Sequence, residues 1–75
     1  MELNNFVKLF AEQFDETPIE QFIATTVFKD LEEWGSLTAL SIIAMVDEEM
    51  EKRITGADIR GCNTIEELFN LALSK

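Results

Sequence analysis

From Ser36 to Glu51 the chain runs without a proline or a glycine, and its upper part carries Leu37, Ala39, Leu40, Ile42, Ile43, Ala44, Met45 and Val46. A continuous run of this kind reads as one helix. It is too apolar for a single stripe against a single core, so part of its surface has to meet something else. The chain that must accommodate it has 75 residues, room for one core and no separate catalytic lobe. A domain of this size buries only about 60% of the surface its unfolded chain exposes, so it depends on dense apolar packing, staples or a partner. Apolar residues make up 47% of it, which favours packing. The one cysteine, Cys62, rules out an internal disulfide, and with no secretory-type leader it implies a reducing, cytoplasmic setting. No apolar run approaches the roughly 18 uninterrupted residues of a membrane span.

Around the central run the remaining elements follow from spacing and caps. Leu3, Phe6, Val7, Phe10 and Phe14 recur at helical intervals and predict a first helix over residues 2 to 14. Thr17-Pro18-Ile19-Glu20 has the order of a capping box with proline in the first helical position, and predicts a short turn. Phe22 to Phe28 is β-branched, yet no second strand-like run exists to pair with it. It therefore reads as an ordered loop pinned by apolar anchors, with Phe28, Leu31 and Trp34 supplying further ones. Thr55 and Asp58 cap a short helix near residues 56 to 60, with Gly61 suited to a left-handed stop. Thr64-Ile65-Glu66-Glu67 opens a last helix whose stripe is Ile65, Leu68, Phe69, Leu71 and Ala72. The fold class is all-α: a small four-helix bundle of three main helices and a short third one, with a long loop between helices one and two, in one domain over residues 1 to 75.

Fifteen acidic against six basic side chains give a net charge of −9. Such a charge repels phosphate backbones and anionic lipid, so nucleic acid and membrane are poor partners, and cationic protein surfaces are the expected ones. With no histidine and no tyrosine, the chain lacks the usual general base near neutral pH and the commonest metal ligand. It does not read as an enzyme. Cys62 has no histidine to activate it and reads as a small buried apolar residue, and no calcium-loop pattern occurs.

Functional weight falls on Asp30 to Leu40, where a long loop delivers Ser36 to the start of the central helix. Free backbone N–H groups and the positive end of the helix dipole at that point favour a phosphate esterified to the serine. By itself, a serine in that place is ordinarily an N-cap. The wider pattern adds to it: Phe28-Lys29-Asp30-Leu31, the triplet Gly35-Ser36-Leu37, the helix ending Val46-Asp47-Glu48-Glu49-Met50, and the capped Thr64-Ile65-Glu66-Glu67-Leu68 together resemble the acyl carrier protein family. The likeness runs from Phe28 to Leu73, and the first helix fits the same plan.

The resemblance implies that Ser36 carries a 4′-phosphopantetheine arm, that the arm's thiol holds acyl groups as thioesters for fatty acid or related biosynthesis, and that partner enzymes dock on the second helix. It also implies a monomeric carrier served by a phosphopantetheinyl transferase. The sequence departs from the family at Gly35, where an aspartate usually precedes the serine and takes part in recognition and in presenting the serine to the transferase. If Leu40, Ile43, Val46 and Met50 face the core, then Leu37, Thr38, Ser41, Ala44, Met45 and Glu48 face partners beside Ser36. Partners with basic docking surfaces would be steered by the charges from Asp47 to Glu51 and touch Leu37, Thr38, Ser41, Met45 and Glu48. Two other readings stand beside this one: an unmodified helical adaptor of the same fold, and a carrier of an amino acid or a specialised acid.

Overall fold

The computed structural model describes residues Met1 to Lys75 as an all-helical domain. Helix α1 spans Leu3–Ala11, α2 Ser36–Met50, α3 Gly56–Arg60 and α4 Ile65–Leu73. Between α1 and α2, residues 12–35 hold only two single-turn 3₁₀ helices, Ile19–Gln21 and Phe28–Asp30. The four-helix bundle with a long first loop is therefore the architecture, as the sequence predicts.

The core explains why so long a loop stays ordered. Phe6, Phe10 and Phe28 are fully buried, and Phe14 and Phe22 nearly so. Phe10 lies at the centre of this cluster, its ring 5.5 Å from Phe28, 5.6 Å from Phe14, 6.3 Å from Phe22 and 6.4 Å from Trp34. All four partners belong to the loop, so one α1 side chain anchors most of its length, each aromatic burying on the order of 150–250 Å². At the other end of α1, Phe6 meets Phe69 of α4 at 5.2 Å. No polar or charged residue is buried, so hydrophobic contact carries the packing.

The loop is also stitched by hydrogen bonds. Val27 forms a single antiparallel bridge with Thr64, in which Phe28 N–H donates to Asn63 O at 3.2 Å and Ile65 N–H to Thr26 O at 3.2 Å. A strand-like segment thus borrows the chain just ahead of α4 as its partner. The expectation of a capping box at Thr17 does not hold: the 3₁₀ turn begins after Pro18 with no side-chain cap, and the Thr17 hydroxyl instead donates to the carboxylate of Glu33.

Local signals act as read at α3 and α4. Thr55 Oγ1 accepts from Asp58 N–H at 3.1 Å while Asp58 Oδ2 accepts from Thr55 N–H at 2.9 Å. Thr64 and Glu67 form the same reciprocal pair. Gly61 departs from expectation: it ends α3 in a right-handed conformation (φ −80°) and supplies no left-handed stop. The one residue with positive φ is Glu51 (φ 54°, ψ 37°), which terminates α2. A glutamate there carries the steric cost of Cβ in the left-handed region. Cys62 is buried, as expected; burial pushes its thiol pKa up, Glu67 adds to that and Lys29 opposes it.

Candidate functional site at the start of the second helix

Helix α2 begins with Ser36 itself, and Gly35 occupies the N-cap position. The serine is thus a first-turn residue and not the cap. No side chain caps this end, and no acidic residue lies in its first turn. The first intrahelical acceptor is Gly35 O, which takes Ala39 N–H at 2.9 Å, so the N–H groups before it point forward without helical partners. Ser36 and Gly35 are both exposed.

Gly35 requires no special backbone. Its φ of −174° is extended and open to any residue, and a Cβ built on it meets nothing within 4 Å. Nothing in the backbone therefore demands glycine here, and a β-carbon at this position meets open space.

Two anchors on either side of the peptide chain fix the serine in space. Trp34, half-buried, stands 4.7 Å from the Phe28 ring and stacks near-parallel over Phe10. Glu33 holds the loop through its carboxylate and holds α2 through its carbonyl, which accepts from Thr38 Oγ1 at 2.7 Å. A shallow cleft beside the serine is lined by Lys29, Trp34, Ala39, Ile59 and Arg60. Lys29 Nζ donates to Arg60 O and sits 6.0 Å over the Phe28 ring. Two cations thus line the cleft beside Ser36, and the free helix start adds the positive end of its dipole.

The face of α2 is turned relative to the sequence expectation. Ile42, Met45 and Val46 are the buried residues. Leu40, expected in the core, is 60% exposed, whereas Met45, expected as a docking contact, is 4% exposed and packs in the core. Of the other expected contacts, Leu37 is 81% exposed and Glu48 is exposed, while Thr38 and Ser41 are half-buried. Ser41 donates to Leu37 O at 3.2 Å, so both hydroxyls are turned onto backbone carbonyls. The exposed ridge is Leu37, Leu40, Ala44, Asp47, Glu48 and Glu51.

The missed residue, Leu40, was recoverable from the acids. Stepping back from Glu51 by threes and fours passes Asp47 and Glu48, then Ala44, Leu40 and Leu37. A solvated acidic tail fixes the phase of a helix whose apolar half leaves it open.

Comparison with protein-family models finds no match, and comparison with characterised proteins and with solved structures finds no significant one.

Proposed function

We propose that this protein is a carrier of the acyl carrier type, in which Ser36 Oγ is the attachment atom for 4′-phosphopantetheine. One observation carries the reading: Ser36 is an exposed hydroxyl in the uncapped first turn of α2, at the head of a ridge whose Leu37 and Leu40 are bare. The group fits the residues present. A phosphate on Ser36 Oγ would be received by the free N–H groups of the first turn, with Lys29 and Arg60 lining the same cleft. When bound, the arm supplies a terminal thiol that carries an acyl group as a thioester.

The chain's own part is to hold, present and be recognised. Trp34 and Glu33 fix the backbone leading to Ser36. Asp47, Glu48 and Glu51 steer a basic partner towards α2, a contribution mainly to the rate of encounter. Leu37 and Leu40 give that partner an apolar seat, where truncation of a central contact typically costs about 1–2 kcal/mol of binding. In this reading the reactions occur on the partner enzymes, the setting is the cytoplasm, and the cargo belongs to fatty acid or related acyl synthesis.

The test is intact-mass measurement after incubation with a phosphopantetheinyl transferase, coenzyme A and magnesium. A phosphopantetheine adduct on the protein that is lost in Ser36→Ala is the expected result. No adduct, under conditions that modify a related carrier, removes the reading; Gly35→Asp then separates a defect in recognition from a wrong assignment. Gly35 in place of the family's aspartate, together with the bare leucines, favours one second reading, an unmodified adaptor docking through Leu37 and Leu40. Isolation of the cellular protein solely in its apo form, bound to one stable partner, would select it.

A further inference from the structure

Glu33 makes contacts that neither packing nor the attachment chemistry requires. Its carboxylate accepts from the backbone N–H of Asp15 at 3.1 Å and of Glu16 at 2.9 Å, and from both the N–H and the hydroxyl of Thr17. Its carbonyl accepts the Thr38 hydroxyl at 2.7 Å. One residue therefore joins the chain leaving α1, some sixteen to eighteen positions earlier, to the first turn of α2. Between these two ties and Ser36 stand only Trp34 and Gly35, and the helix start has no cap of its own.

We propose that Glu33 is a positioning residue for Ser36: its ionised carboxylate, by clamping Asp15–Thr17 against the loop, holds the first turn of α2 in the geometry in which the serine hydroxyl is presented for modification. This rests on Ser36 being the attachment residue. The clamp is built for an anion. Four donors converge on two oxygens, and charge-assisted bonds of this kind are about twice as strong as neutral ones. A glutamine in the same place has a single acceptor oxygen, and its NH₂ faces N–H donors. Protonation has a similar effect, since a carboxyl hydroxyl is a poor acceptor.

The groups around the clamp leave it no substitute. Asp15 and Glu16 reach it through their backbone N–H groups, and the titratable side chains beside it, Glu16, Asp30 and Glu32, line a shallow cleft shared with Gln21. No lysine or arginine lines that cleft. The donors, the Thr17 hydroxyl foremost, hold the Glu33 carboxyl below the usual range, so it is ionised wherever a carrier would work.

The experiment uses the full apo chain as wild type, Glu33→Gln, Glu33→Asp and Thr38→Val, with a phosphopantetheinyl transferase, coenzyme A and magnesium. Modification of Ser36 by Glu33→Gln is expected to lose about tenfold in kcat with KM nearly unchanged, because misplacement of a reacting group acts on the chemical step while the docking ridge is intact. Glu33→Asp, which keeps the charge, recovers part of the rate. Carboxyl ¹³C titration of wild type provides the independent readout: Glu33 and the amides of Asp15, Glu16 and Thr17 should move with one shared midpoint, below the ordinary glutamate range.

Wild-type kcat in Glu33→Gln, or a Glu33 titration that leaves those three amides still, overturns the role. Should Glu33→Gln fail to fold, Thr38→Val cuts only the tie to the Glu33 carbonyl, and an unslowed kcat in that variant overturns it instead. An unmodified wild type removes the carrier reading, and the role of Glu33 with it; a modified wild type with an equally fast Glu33→Gln removes the role of Glu33 alone.

Discussion

Helices α2 and α4 are made of similarly apolar residues and are held in opposite ways. Helix α4 opens with the reciprocal Thr64–Glu67 cap, carries Glu66 and Glu67 in its first turn, and buries one stripe of Ile65, Leu68, Phe69 and Ala72. The cap and the first-turn acids lower its free energy without help from the rest of the fold, and the stripe gives it one unambiguous face for the core. Helix α2 starts at an uncapped Gly35 and ends on a left-handed Glu51 after Asp47, Glu48 and Glu49. Two of its leucines face solvent. The helix that presents the serine is the one with the least local support. Its placement comes from tertiary contacts around Phe10, Trp34 and Glu33, and the features at its ends and on its ridge add nothing to its stability.

The contrast breaks most visibly in the aromatic cluster. Phe10→Ala removes the fully buried ring that Phe14, Phe22, Phe28 and Trp34 surround, and is expected to cost about 3–5 kcal/mol, a large part of the stability of a small domain. Urea denaturation measures the loss. Amide exchange reads the contrast: protection should fall first in residues 12–35 and the opening turn of α2, and last in α4. Equal loss in both helices would mean that α2 is held by something other than this cluster.

A smaller effect is expected at the local cap. Thr64→Ala removes the acceptor for Glu67 N–H and should cost about 1 kcal/mol. Because Thr64 also meets Val27 in the bridge through its backbone, the bridge should survive, and the exchange of Phe28 N–H tests that it does.

Repairing α2 sharpens the comparison from the other side. Gly35→Asp places a carboxylate at the helix start where a Cβ has open space, and should add about 0.5 kcal/mol by capping and by the dipole. Thermal denaturation of the apo protein measures it. A loss of stability would show that the acids nearby, Glu32 and Glu33, outweigh the cap.

These two helices also mark how far the residues alone disclose the fold. The caps at Thr55–Asp58 and Thr64–Glu67 were legible because partner and receptor lie three positions apart, within reach of each other in a single turn. The bundle and the anchoring role of Phe28 and Trp34 were legible from apolar periodicity and the absence of a second strand. The face of α2 was not: with Leu37 to Val46 apolar nearly all round, Met45 and Leu40 exchange places on a rotation of roughly a quarter turn, and the acidic tail was the sole guide to phase. The left-handed Glu51 had no local sign, since glutamate is not a residue that seeks that conformation. Nor did Thr17 betray its real partner. Its sequence neighbours complete a capping box, yet Glu33, brought near by the aromatic cluster, offers a carboxylate already converging on three backbone N–H groups. Ser36 was placed correctly at the start of its helix, and the cleft of Lys29 and Arg60 beside it was invisible because α3 supplies half of it.

Acid provides the mildest probe of the same difference. Glu67 and Glu33 both titrate below the ordinary range, Glu67 chiefly because of the Asn63 and Thr64 amides, Glu33 chiefly because of the Thr17 hydroxyl. A folded-state value below the unfolded one adds stability that is complete above the unfolded pKa, about 4.3 for glutamate, and is lost as pH falls through the folded value. Melting temperature should therefore be insensitive to these groups above about pH 5.5 and fall on further acidification. Glu67→Gln and Glu33→Gln should each flatten that acid limb, but with different reach. The first releases protection at Asn63 and Thr64, beside the mutated residue. The second releases it at Asp15, Glu16 and Thr17, across the loop. If loss of Glu33 loosens only its immediate neighbours, the start of α2 is held as locally as the start of α4, and the distinction between the two helices disappears.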